Sequence, residues 1–165
     1  MYIYDHRYVF DEIGFNLKPL DLQAAIGRQQ IKKLDYLDQA RKDNFERMTK
    51  AFSPFADKLH LPVATDKADP SWFAYMMTVK EDANFLREEL VEHLEDNKIQ
   101  TRSYFAGNIL YHPGYQKVAR KYGNLQKRFP VAHHVTFNSF FLGTFAGLSE
   151  EKIDYIAEKA KEFFE

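Results

Sequence analysis

Apolar positions set the reading of this chain. From Leu22 onward they recur at Ile26, Leu34, Leu37, Phe45, Met48 and Phe52, at spacings that keep one helical face apolar. Pro19 opens the run, where its missing N–H and fixed φ are tolerated, and Pro54 closes it. An unbroken helix over 20–53 would be about 50 Å long at 1.5 Å per residue. That exceeds the need of a small domain, so the pattern predicts a bridging helix, or one that kinks near Asp35 or Gln39. Downstream the period changes. Leu59 to Pro62 reads as a short strand, and Trp72 to Val79 as a strand apolar enough to be buried on both faces. Leu86, Leu90 and Leu94 form a helical stripe with Asn84 as expected N-cap and Asn97 as its close. Ile99 to Phe105 reads as a strand, Tyr115 to Tyr122 as a helix stopped by Gly123, Pro130 to Val135 as a short helix and Asn138 to Leu142 as a strand. Ser149 is the expected cap of a last helix with Ile153, Ile156, Ala157, Ala160 and Phe164 on one face.

This order predicts an α/β (α+β) fold, a few-stranded sheet with helices, preceded by the long bridging helix. Three segments follow: an arm with a loop over 1–19, the helix over 20–53, and a small domain over 54–165. The arm, Met1 to Phe15, has no clear period and reads as poorly anchored.

Composition narrows the function classes. Across 165 residues, 45% hydrophobic and 28% charged content is ordinary for a soluble globular domain. A net charge of -1 and interleaved charges argue against a nucleic-acid partner. No apolar run approaches the roughly 20 residues of a membrane span, and the N-terminus lacks a secretory pattern. With no cysteine there is no disulfide, thiolate metal site or cysteine nucleophile, which fits a cytoplasmic protein. The six histidines lack metal-ligand spacing; His133 and His134 are adjacent and diverge on either a helix or a strand. No serine sits in a strand-turn-helix elbow, and there is no Gly-rich phosphate loop. Aromatic content of 16% is high, which a Phe-rich core accounts for at most positions and an interface or ligand site at some.

Two constellations carry candidate chemistry. Asn16 offers an amide and Lys18 a cation just ahead of a helix whose first N–H groups are unpaired, an arrangement suited to phosphate. The alternative is an Asn that satisfies a turn and a solvated lysine. The second is Arg102-Ser103-Tyr104-Phe105-Ala106-Gly107-Asn108 with His112 and Pro113 behind it, where a strand runs into a loop. Arg102 can grip a carboxylate or phosphate as a fork, or simply form a surface ion pair.

Tyr4-Asp5-His6-Arg7-Tyr8-Val9-Phe10, followed by Gly14-Phe15-Asn16-Leu17-Lys18-Pro19-Leu20-Asp21-Leu22-Gln23-Ala24-Ala25-Ile26-Gly27, resembles the DegT/DnrJ/StrS family of pyridoxal-phosphate-dependent sugar aminotransferases and dehydratases. Arg102 to Pro113 is similar to the branch that removes the carbon-3 hydroxyl of nucleotide-linked 4-keto-6-deoxy sugars. Phe140 to Glu151 resembles the family's close, although Ala146 stands where proline is expected. The resemblance covers essentially the whole chain and implies the small C-terminal domain of a fold-type I transferase. It implies that Asn16 reaches across a homodimer to the partner's cofactor phosphate, with Lys18 close to the same site. It places Arg102 and Asn108 in the substrate region. The residues the family uses to hold the pyridine ring and to abstract the proton belong to a preceding large domain, and match nothing here. The resemblance therefore assigns no catalytic residue and no metal ligand to this chain. It implies a C-terminal fragment of a deoxysugar or O-antigen enzyme, inactive alone. A 3-aminotransferase is the near alternative, and a non-catalytic dimerisation domain is the alternative from another class.

Overall fold

The computed structural model describes residues 14, 15 and 17–165. Asn16 and the arm over 1–13 lie outside the described residues. The chain divides into two compact units, Met1–Leu34 and Asp35–Glu165.

In the first unit, α1 spans Asp21–Ile31. The Leu20 N–H donates to Gln23 Oε1 at 2.8 Å, so a side chain two residues inside the helix satisfies the group at its mouth. No residue of α1 is buried; Leu22, Ile26 and Ile31 are all more than half exposed.

The helical run is interrupted at Lys32 and Lys33, close to Asp35, one of the two positions where a kink is expected. Lys32 carries ψ -18°, and the Lys33 N–H reaches the Gln30 carbonyl, a tighter turn than the α ladder. A second helix, α2, then spans Leu34–Phe52, with Asp35 in its first turn, where a carboxylate suits the positive end of the helix.

In the second unit, α2 ends in a short 3-10 turn at Ser53–Phe55, and Pro54 stops it as expected. β1 (Leu59–His60), β2 (Ala74–Val79), β3 (Arg102–Ser103) and β4 (Ser139–Gly143) form one sheet in the order β1-β2-β4-β3, antiparallel throughout. α3 (Arg87–Asp96) follows β2, and α7 (Glu150–Phe164) closes the chain. Between β3 and β4 run two 3-10 turns, Ile109–Tyr111 and Pro113–Tyr115, and three short helices: α4 (Gln116–Ala119), α5 (Leu125–Arg128) and α6 (Pro130–Asn138). α5 carries no expectation from the sequence. It is one turn, capped by Asn124 Oδ1 accepting from the Lys127 N–H at 2.9 Å, too short to show a period.

The core lies on one face of the sheet. Register sets Tyr75 opposite Leu142 and Met77 opposite Phe140. Those side chains, with Val79 and Leu59, meet Met48 and Phe52 of α2, Leu90 and Leu94 of α3, and Ile153, Ile156 and Ala160 of α7. Met76, Thr78, Ser139 and Phe141 alternate onto the other face. There Thr78 and Ser139 hydroxyls meet at 2.7 Å, and Val135 of α6 shares a shallow cavity with Met76, Thr78 and Ser139. β2 is thus deeply buried on one face and only half-buried at Met76 and Thr78, less enclosed than its apolar run suggests.

Two expectations shift locally. The N-cap of α3 is Leu86, not Asn84, because Glu89 reaches back and accepts from the Leu86 N–H at 2.6 Å. Ser149 does sit at the N-cap of α7, yet its side chain makes no capping bond. The strand expected from Ile99 to Phe105 pairs only at Arg102 and Ser103. Phe105 turns into the left-handed region at φ 48° and ends it.

Candidate functional site

The site predicted from the sequence falls into two parts, one in each unit. In the first unit Lys18 is exposed, three residues before α1. A cation ahead of an eleven-residue helix fits an anionic group. Asp21 in the first turn sets a negative charge at the same helix mouth and opposes that attraction.

In the second unit Arg102 and Asn108 occupy the two ends of one loop. Arg102 stands exposed on β3, opposite Phe141 of β4. The preceding Thr101 donates both its N–H and its hydroxyl to Glu95 Oε1, at 2.5 and 2.8 Å. These bonds hold the Glu95 carboxyl below its ordinary range, and the Arg102 charge acts in the same direction. Glu95 thereby gives the guanidinium a nearby negative charge while leaving its fork open to solvent.

Beyond β3 the loop is closely determined. Gly107 has φ 57°, and a Cβ there would come within 2.6 Å of Thr136 Cγ2 and 2.7 Å of Thr136 Oγ1. Only glycine meets both conditions. The Thr136 hydroxyl accepts the Asn108 N–H at 2.8 Å and donates to the Ala132 carbonyl at 2.6 Å. His112 Nε2 donates to the Ala106 carbonyl at 2.7 Å. Asn108 Oδ1 accepts the Leu110 N–H at 3.0 Å and caps the first 3-10 turn, while its Nδ2 is buried without a hydrogen-bond partner among the described residues. Asn108 is therefore first a loop-shaping residue. Its unpaired amide is the one donor it still has to offer.

Beside Arg102 lies an open depression of about 440 Å³ lined by Phe73, Gln100, Ser103, Phe105, Phe141 and Gly143. Phe105 sits 5.4 Å from Phe141 and 6.2 Å from Phe73, centroid to centroid. A guanidinium at the lip of an aromatic floor can hold an anion whose apolar or planar body lies on the rings. Sequence reasoning missed Thr136, Phe73 and Gln100. Thr136 joins the loop across 28 residues of chain, a separation that no local pattern reports. Phe73 is hidden inside the β2 run. Among the described residues no three His, Asp or Glu side chains gather as a metal site, and no helix is long and apolar enough to cross a membrane.

Residues 3–161 match the DegT/DnrJ/EryC1/StrS aminotransferase family. The chain belongs to that family. Among family members, the dTDP-4-dehydro-2,6-dideoxy-D-glucose 3-dehydratase of Saccharopolyspora spinosa is 39% identical over 160 residues, covering 97% of this chain and 34% of that protein. The lipopolysaccharide biosynthesis protein RfbH of Salmonella typhimurium is 38% identical over 98% of this chain and 36% of that protein. Among solved structures, GDP-4-keto-6-deoxy-D-mannose-3-dehydratase of E. coli, with bound hydrated PLP, superposes with TM-score 0.73 at 28% identity. The match covers 93% of this chain and 38% of that one. A family aminotransferase from Brucella abortus gives TM-score 0.75 at 20% identity over 94% of this chain and 39% of its own, and shows the shared fold. The chain thus spans about a third of the length of the curated relatives it matches. Its mixed helix and antiparallel sheet are part of the fold of these PLP-dependent proteins.

Proposed function

We propose that the protein carrying this chain is a PLP-dependent 3-dehydratase of nucleotide-linked 4-keto-6-deoxy sugars, in deoxysugar or O-antigen synthesis. The observation that carries this reading is the 39% identity to a sugar 3-dehydratase across nearly all of the chain. The loop from Arg102 to Asn108 supports it, since the motif that resembles this branch is held in place by Thr136 at Gly107 and Asn108.

The described residues fit one portion of the cofactor, its phosphate. Lys18 supplies the charge, the mouth of α1 supplies N–H groups, and Asn16, outside the described residues, is proposed to complete the contact across a homodimer. When bound, the cofactor supplies an electron sink for charge developed on the sugar. This chain's part is to bind and orient. In the proposal Arg102 grips the nucleotide's diphosphate as a fork, the Phe105 and Phe141 rings shield that side from water, and Asn108 fixes the loop that carries them. No proton transfer is assigned to any residue described here.

A 3-aminotransferase is the second reading. The relatives named as perosamine synthases match less closely, at 28% and 24% identity. To test the proposal, the coding DNA upstream is sequenced. Any in-frame segment is expressed joined to this chain, and the product is assayed with PLP, with glutamate as amino donor and source of two electrons, and with nucleotide-linked 4-keto-6-deoxy sugars and their 3-keto isomers. A 3-deoxy product by NMR is expected. A 3-amino product would establish the transferase instead.

A further inference from the structure

Away from Arg102, a second groove of about 370 Å³ opens between the start of α7 and the turn after α3. Its floor is Ile99, Leu142, Phe145, Leu148 and Ile156, and Lys98 and Lys152 line it. Both lysines stand where local physics disfavours them. Lys98 follows the C-cap of α3 with φ 63°. Its N–H bonds the Glu95 carbonyl at 2.9 Å, and the Ile99 N–H bonds the Leu94 carbonyl at 2.9 Å. This is the paired helix-ending motif in which the left-handed position is ordinarily glycine. Lys152 lies in the first turn of α7, at the helix end that repels a cation. Its helical neighbours three and four residues away are Ser149, Leu148, Tyr155 and Ile156, none of them acidic. Among the described residues neither ammonium has a carboxylate within 4.0 Å.

Contacts within the chain fix the walls. The Phe145 ring is wedged over Gly147, where a Cβ would meet it at 2.8 Å, and the Leu148 N–H returns to the Phe145 carbonyl at 3.0 Å. Asn44 Nδ2 donates to that same carbonyl at 2.9 Å. The Tyr155 hydroxyl donates to the Asn97 carbonyl at 3.1 Å, tying α7 to the turn that carries Lys98. A preformed apolar trough with a few placed polar groups is the usual form of a small-molecule site.

We propose that this groove is a binding site for a small amphipathic carboxylate, its apolar body on Phe145, Leu148 and Ile156 and its charge met by Lys98 and Lys152. A carboxylate with an apolar tail is the class that matches a mostly apolar floor edged by lysine point charges. The site is independent of the sugar-nucleotide reading, and its test makes no use of catalysis.

The test titrates the labelled chain with octanoate and with octanol, following NMR shifts of the groove residues. Octanoate is expected to saturate shifts at Leu142, Leu148 and Ile156 and to bind about tenfold more tightly than octanol. Lys98→Gly and Lys152→Gln are each expected to weaken octanoate about threefold and to leave octanol unchanged. Lys98→Gly also removes the left-handed lysine, so its fold is retained, and a thermal melt no lower than the parent's verifies this. Equal affinity for octanol and octanoate, no saturation, or unchanged octanoate affinity in both variants overturns the proposal.

Discussion

Gly107 and Thr136 show how much one contact can determine. Gly107→Ala adds a Cβ into the Thr136 side chain at a positive φ, so the loop must move or Thr136 must turn. A loss of about 1–3 kcal/mol is expected by urea denaturation. Thr136→Val keeps the bulk but removes the acceptor of the Asn108 N–H. It is expected to cost about 1–2 kcal/mol by the same measurement, with faster amide exchange at Asn108. Glu95 gives the residue-scale pH dependence. Its folded value lies below the ordinary carboxyl value of 4.5, so its stabilisation is fully present above that value and fades as pH falls through the folded one. Glu95→Gln is expected to flatten that part of a stability-against-pH curve, read from denaturant midpoints between neutral pH and about pH 3.

At the scale of elements, legibility followed the source of stability. α7 was readable because burial of one face imposed a helical period, reported by Ile153, Ile156 and Ala160, and β2 because its aromatic, near-continuous apolar run favours a strand, although that run suggested burial on both faces. The end of α2 at Pro54 and the turn at Gly123 were readable because backbone chemistry forced them. The break at Lys32 and Lys33 lies two to three residues before Asp35, one of the two positions where a kink was expected, and its exact place was not readable, since no residue of α1 is buried. The cap of α3 was missed because Glu89 reaches back across one turn and displaces the expected Asn84. Arg102 and Asn108 were placed on one loop by their motif, while Thr136 depended on packing between distant segments. An eleven-residue helix with no buried residue is marginal in water. Amides of α1 are therefore expected to exchange far faster than those of α7 in hydrogen-exchange mass spectrometry. Gly27 has open space around its missing Cβ, so Gly27→Ala should raise α1 helicity, at about 0.5–1 kcal/mol.

For the molecule as a whole, the proposal separates binding from chemistry. Lys18 and the helix mouth offer a handle for phosphate, and Arg102 offers one for substrate, but no described residue is assigned to catalysis. The 165-residue chain is accordingly expected to bind PLP weakly at most. Visible spectra should stay those of free PLP. A shifted band, bleached by borohydride and mapped to a lysine of this chain, would show that the assignment is incomplete. Exposed Leu20, Leu22, Ile26, Ile31 and Leu34 also predict self-association at tens of micromolar, and a clean monomer in sedimentation would remove that expectation.

The strand order has a bearing on solubility. Trp72 to Val79 is the stretch most apt to template fibrils: aromatic, uncharged and free of proline. In the fold its strand is interior in the sheet order, paired with β4 from Ala74 to Thr78 and with β1 at Thr78 and Val79, and the sheet's two margins are β1 and β3, each two residues long. His60 and Arg102 stand exposed on those margins, and Pro62 follows β1 closely. Strand pairing therefore shields β2 from a stray strand along its β4 side, and at Thr78 and Val79 on the other.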